Sequence, residues 1–243
     1  MANPPTPTTS GRGPRGTPRV SAEEARSNAL LFLDDIVPPD AIIRLTAISA
    51  RAVPEKPAEQ CAAFAARIAR PEHLYNVVPC PRSRLEFPGA TLEAEFLLNE
   101  KTASAIPDLA PGGLIRANAV LGNGSGNLGC HRDQDIAAFD YLLIESDLLP
   151  LPLQAALLYR LIEQGFPVVS AVFTGGKSIH ALVRILAKDA EAFRSISRRI
   201  YSRLVRLGFD PSTGNPSRMT RIPGCVRTFP DGSTSLQNLL YLA

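Results

Sequence analysis

An α+β fold is predicted by three features of the chain after position 136. Residues 137–147 and 167–185 run apolar or alternate with the period of a β-strand. Residues 151–164 and 189–207 repeat apolar positions at three- and four-residue spacing, as a helix does. The order is strand, helix, strand-turn-strand, helix, strand, the last strand lying at 235–242. That order is the split β-α-β arrangement of ferredoxin-like and RNA-recognition folds. Right-handed crossovers then put the first strand and the second hairpin strand side by side at the centre of the sheet. Residues 112–243 are read as this core and residues 21–111 as an accessory α/β subdomain packed on it.

Taken in order, residues 1–20 hold Pro, Thr, Gly and three arginines, too little apolar content to offset chain entropy, so a disordered basic tail is expected. Ser21 followed by Glu24 is a capping box, opening a helix that runs through Ala29, Leu30, Phe32 and Leu33 to Pro38-Pro39. The β-branched run 42–48 predicts a short strand, and a helix is expected over 59–68. Residues 71–111 are punctuated by proline, with 92–98 fitting either helix or strand. No chemistry is read from 21–111. From Gly112 the pattern sharpens: 114–120 is strand-like, 122–129 is a Gly/Asn-rich loop, and 137–147 is a strong strand ending in acid. The helix over 151–164 has Pro152 in its first turn and Gly165 as its stop. Asp189 caps the next helix, which turns Phe193, Ile196, Ile200, Leu204 and Leu207 inward. Arg194, Arg198, Arg199, Arg203 and Arg206 fall on its outer side.

Composition excludes several classes. An apolar fraction of 45% and a charged fraction of 20% are globular values, and 243 residues can bury a core. A net charge of +3 is only mildly basic, so bulk charge does not argue for nucleic acid. The four cysteines include no C-x-x-C pair, and adjacent Cys130 and His131 cannot easily both reach one tetrahedral zinc; free thiols of a reducing cytosol are expected. The N-terminus lacks the apolar run of a signal peptide. The most apolar stretch, 148–162, is cut by Pro150, Pro152, Gln154 and Arg160, short of the roughly 20 residues of a membrane span. A cytoplasmic protein without a membrane partner is expected.

Gly176-Lys177-Ser178 invites a phosphate-loop reading. That motif needs a glycine where this chain has Ala171, and a helix where residues 178–185 alternate as a strand. Residues 167–173 and 179–185 are therefore the arms of a β-hairpin, with Gly175-Gly176 supplying positive φ at the turn. Ser178 and His180 then project from one face, with Lys177 at the turn. Glu145 and Asp147, two apart on a strand, share a face of the same sheet. Carboxylates held that close repel, and a divalent cation is the usual way to keep both ionised. Residues 208–227 add a third carboxylate, Asp210, and three arginines, whose forked donors suit phosphate. Three carboxylates, a Ser/His/Lys cluster and an arginine row make a site for a nucleoside triphosphate with two metal ions roughly 3.5–4 Å apart.

Glu145-Ser146-Asp147 at a strand end, Ser178-Ile179-His180 on a strand and Phe209-Asp210, in that order, resemble the three motifs of the archaeo-eukaryotic primases, also called primase-polymerases. The runs 175–180, 215–224 and 237–242 look like the bacterial and phage branch of that family. The resemblance spans about 114–242 and departs at Glu145, where many members carry Asp. It implies template-directed transfer of a nucleotide to a 3′-hydroxyl, with pyrophosphate leaving. Glu145, Asp147 and Asp210 would be the catalytic acids that hold Mg²⁺ or Mn²⁺. Ser178 and His180 would contact the nucleotide's phosphates, with Lys177, Arg218 and Arg221 as charge clamps. The implied partners are a single-stranded DNA template, nucleoside triphosphates and a replicative helicase, in phage, plasmid or mobile-element replication. The arginine side of the 189–207 helix is a candidate track for the template backbone.

The rival reading is a catalytically silent RNA-recognition-like module or a replication-initiation protein. Such a module needs exposed aromatics for base stacking, and aromatic content is 6%. A relaxase-type nicking enzyme needs a histidine pair and a tyrosine nucleophile, and His180 has no second histidine on its strand.

Overall fold

The computed structural model describes residues 20–80, 89–126 and 129–243. The tail expected over 1–20 lies outside them except for Val20. In chain order the helices are α1 (Ala22–Phe32), α2 (Ala41–Ala47), α3 (Pro57–Ile68), α4 (Ala94–Leu98), α5 (Glu100–Ser104), α6 (Ile106–Leu109), α7 (Leu151–Glu163) and α8 (Ala190–Leu204). The strands are β1 (Leu74–Val78), β2 (Ala90–Glu93), β3 (Leu114–Arg116), β4 (Phe139–Ile144), β5 (Val168–Phe173), β6 (Ile179–Ala187), β7 (Met219–Arg221), β8 (Val226–Thr228), β9 (Thr234–Leu236) and β10 (Asn238–Leu242).

Two antiparallel four-stranded sheets form, in the orders β2-β1-β3-β7 and β10-β5-β6-β4, with β8 and β9 as a separate hairpin. The period-two geometry of β4 explains why residues 141–144 are all apolar. Leu142 and Ile144 face a core built with α7 and α8, through Leu157, Phe193 and Leu204. Tyr141 and Leu143 face the other sheet, against Tyr75, Val77 and Ile115. Strands from both sides of position 112 share the β2-β1-β3-β7 sheet, so 21–111 and 112–243 interleave.

The expected hairpin forms, with Gly175 at φ +74° in its turn. Ser21 caps α1 by accepting the Glu24 N–H at 3.0 Å. Four expectations need correction. Residues 42–48 are not a strand: Ala41 and Leu45, four apart, are buried, while Ile43 is 71% exposed. The Ile42-Ile43 pair signalled extended backbone, but burial of the α2 stripe decided for helix. The strand expected over 137–147 stops at Ile144, so Glu145 and Asp147 stand just beyond it; Ser146 Oγ accepts the Leu148 and Leu149 N–H groups there, both at 3.3 Å, and turns the chain.

The third concerns topology. β4 does pair with β6, but β4 is an edge strand, and β10 joins β5 instead of β4. The RNA-recognition order is therefore not the one adopted. The chain leaves α8 for β7 in the other sheet and the β8–β9 hairpin, and only then returns as β10 at the far edge. The expected 235–242 strand is split at Gln237, whose buried amide donates to the carbonyls of Gly113 (3.1 Å) and Ile222 (2.6 Å).

All four cysteines are free thiols; burial raises Cys61 and pushes Cys225 up to about 11, which keeps both protonated near neutrality. Among the described residues, no helix is long and apolar enough to cross a membrane.

Candidate active site

An edge strand leaves backbone groups unpaired on one side, and here those groups build the site. Asn118 covers part of the β4 edge: its Oδ1 accepts the Asp140 and Tyr141 N–H groups at 2.9 and 2.8 Å, and its Nδ2 donates to the Tyr141 carbonyl at 2.8 Å. The same Nδ2 donates to the Pro216 carbonyl at 3.0 Å, tying the 210–216 loop to that edge. Farther along, the Leu143 carbonyl accepts from the hydroxyls of Tyr201 (2.7 Å) and Thr213 (3.2 Å). Burial pushes the Tyr201 hydroxyl pKa upward, so it remains a donor. The Asp210 N–H then donates to the Glu145 carbonyl at 2.8 Å. Two acids 65 positions apart thus become backbone neighbours because β4 has a free edge.

The β4 end, the hairpin turn and β7 enclose a cleft of about 810 Å³. Glu145, Asp147, Lys177, Ser178 and His180 line it. Arg218 and Arg221 line it as well. His180 Nδ1 faces the Arg221 backbone N–H at 3.3 Å, which assigns the ring proton to Nε2. Nε2 lies 2.5 Å from Glu145 Oε2, and Arg218 Nη2 is 3.5 Å from Oε1. Burial by itself would raise the Glu145 pKa, but the hydrogen bond from His180 and the charge of Arg218 outweigh it and hold the carboxyl below its usual range. Ser178 is buried, its hydroxyl 3.3 Å from Thr174 Oγ1.

Asp147 is half exposed and pairs with Lys177 at 3.4 Å. Exposed pairs of this kind are worth about 0–1 kcal/mol, so a phosphate can compete for the lysine. Arg221 is partly committed, donating to the Gly112 carbonyl at 2.9 Å. Four cationic side chains, the fourth being Arg227, line the cleft against two carboxylates. An excess of positive charge in a concave site attracts polyanions.

The structure therefore gathers seven of the eight predicted residues on the cleft wall. Asp210 is their backbone neighbour, but its side chain is not among those lining the cleft: its carboxylate accepts the Ser212 N–H at 2.9 Å and hydroxyl at 2.6 Å, capping the turn Pro211–Thr213. Among the described residues, no group of three or more His, Cys, Asp and Glu side chains is arranged to hold a metal ion. The donor chemistry still suits a hard divalent cation. Mg²⁺ is commonly held by one or two carboxylates together with substrate phosphates, and Glu145 and Asp147 are the two carboxylates on the wall.

Sequence reasoning passed over several contributors. Gln154, read only as a polar break in an apolar stretch, is buried at the start of α7; it donates to the Leu149 and Lys177 carbonyls at 2.6 and 2.9 Å and accepts the Ile179 N–H at 2.8 Å. It holds the hairpin turn that presents Lys177 and Ser178. Arg227 and Phe229 also line the cleft. The signal for Gln154 was a lone amide inside an apolar helix; Asn118 and Tyr201 gave none, since their partners are distant backbone groups.

No protein-family model and no curated protein sequence matches the chain. Among solved structures, the chain is similar to the AEP domain of the cyanophage S-2L primase-polymerase, with a TM-score of 0.48 and 20% identity over 78% of this chain and 92% of that one. It is also similar to the polymerase domain of ligase D from Mycobacterium tuberculosis, in complex with DNA, with a TM-score of 0.35 and 12% identity over 74% and 77% of the two chains. At these levels of similarity the functional conclusion rests on the site itself.

Proposed function

We propose that this chain is a DNA-dependent nucleotidyltransferase, a primase or primase-polymerase that makes or extends primers on single-stranded DNA with two divalent metal ions. The observation that carries this reading is one cleft holding paired carboxylates, a serine and a histidine, and a basic wall. A charged, cation-rich concavity suits a triphosphate; two of the three motifs that resemble the primase-polymerase family line it, and the third is held beside it by the Asp210–Glu145 backbone bond.

In this reading Lys177, Arg218 and Arg221 hold the β- and γ-phosphates and Ser178 contacts a phosphate oxygen, while the two ring nitrogens of His180 are committed to Glu145 and to the Arg221 N–H. The primer's 3′-hydroxyl gives its proton to solvent as its oxygen bonds to the α-phosphorus, the bond from that phosphorus to the bridging oxygen breaks, and pyrophosphate leaves. Glu145 and Asp147 would hold Mg²⁺ or Mn²⁺, with Asp210 joining them if its carboxylate turned away from Ser212, and the ion would supply charge stabilisation to the attacking and leaving oxygens. His180 fixes the Glu145 carboxylate, and Lys177 moves from Asp147 to the substrate as the phosphates arrive. Replication of a phage, plasmid or mobile element, beside a replicative helicase, is the setting this activity fits.

Primer synthesis with Mn²⁺, single-stranded template and nucleotides tests the reading. Asp147 is exposed enough that Asp147→Ala should fold; it is expected to bind template and make no product. Template binding without synthesis by the unmutated chain would overturn the enzyme reading in favour of a binding module.

A further inference from the structure

We propose that the β8–β9 hairpin carries the nucleobase subsite of this cleft, with the Phe229 ring and the Arg227 guanidinium as its stacking platform. The proposal rests on the nucleoside triphosphate reading above and names where the base of that substrate lies. Arg227 Cζ stands 4.6 Å from the Phe229 ring centroid, inside the roughly 6 Å reach of a cation–π contact. Both side chains line the cleft that holds Lys177, Arg218 and Arg221.

The turn bearing Phe229 is built by its own bonds. The Phe229 N–H donates to the Ser233 carbonyl at 2.9 Å, and the Phe229 carbonyl accepts the Gly232 N–H at 2.9 Å. Asp231 accepts the Ser233 N–H at 2.9 Å and its hydroxyl at 2.6 Å. The hairpin belongs to neither large sheet, and Val226 beside the platform is 45% exposed. A half-buried phenylalanine at such a place is not needed to fill a core.

Arg227 links this platform to the phosphate end. A Cβ placed on Gly176 would lie 2.9 Å from Arg227 Nη1, so the guanidinium spans from the Phe229 ring to the turn that presents Lys177. Burial and the like charge of Arg221 both push the Arg227 pKa down, and an anionic ligand beside the two guanidiniums would offset that like charge. A planar guanidinium on a phenyl ring offers a flat face of nucleobase size, and stacking of this kind is tolerant of base identity. Purines, with the larger π-face, should bind more tightly than pyrimidines.

The test measures binding of GTP, CTP and inorganic tripolyphosphate to the full chain by calorimetry, with Mg²⁺ held constant. Phe229→Ala is expected to weaken GTP about tenfold, to narrow the gap between GTP and CTP, and to leave tripolyphosphate binding unchanged. Phe229→Leu keeps apolar bulk without a π-face and should behave like alanine, whereas Phe229→Tyr should restore GTP binding. Unchanged GTP affinity in Phe229→Ala, or equal loss of GTP and tripolyphosphate, overturns the platform alone. Failure of the unmutated chain to bind GTP at all overturns both it and the triphosphate reading.

Discussion

His180 is caught between the Arg221 N–H on one ring nitrogen and Glu145 on the other, and the buried carboxylate so held has a definite pH signature. The folded Glu145 pKa lies below its unfolded value, which is about 4.3. Its stabilising contribution is therefore complete above that unfolded value and is lost as pH falls through the folded one. Glu145→Gln is expected to cost about 1–3 kcal/mol at pH 7, with the difference from the parent shrinking below about pH 4. Urea midpoints across pH check this; a gap that stays constant would mean that the charge on Glu145 contributes nothing. At this scale the sequence was informative where chemistry is carried by residue type. Glu145, Asp147, Lys177, Ser178 and His180 were recognisable from spacing and all line the cleft. Tyr201, Gln154 and Asn118 were not, because a hydroxyl or amide that completes distant backbone groups looks like any other polar residue in a sequence.

At the scale of elements, the position of β4 decides the geometry of the site. Had β4 been central, as the strand order predicted, a neighbouring strand would have taken the Leu143 and Glu145 carbonyls that now hold Tyr201, Thr213 and Asp210. Asn118 is the main cover for the remaining edge. Asn118→Ala leaves the Asp140 and Tyr141 N–H groups and the Tyr141 carbonyl without this partner, and a loss on the order of 2–3 kcal/mol is expected. Amide exchange at Asp140 and Tyr141 should quicken in this variant. Unchanged exchange at both would show that the edge is held by something else. The hairpin, α7 and α8 were legible because period and caps are local signals. α2 was not, because two isoleucines favour a strand until burial against α7 decides for a helix.

Across the whole molecule, the candidate active-site cleft leads toward a second groove. Ser217 lines both, and Arg132 and Arg194 line the second, whose volume is about 680 Å³. A single-stranded template leaving the cleft would meet Arg132, just before the Asp133–Asp135 turn, and Arg194, near the start of α8. Replacing both Arg132 and Arg194 with Gln should lower the salt dependence of single-strand binding by roughly 1.4 in log–log slope, at about 0.7 per phosphate contact. An unchanged slope would place the template elsewhere. The chain's local patterns determined by themselves that strands alternate with helices, that a Gly-Gly turn carries a lysine, a serine and a histidine, and that acids follow a buried strand, because each is written in residues a few positions apart. Tertiary structure decided which edge of β4 stayed open, how the 210–216 loop docked there, and that Arg227 and Phe229 face the same cleft as Lys177. Those outcomes depend on which backbone groups remain unpaired once two sheets have packed, and that competition is settled only between segments far apart in the chain.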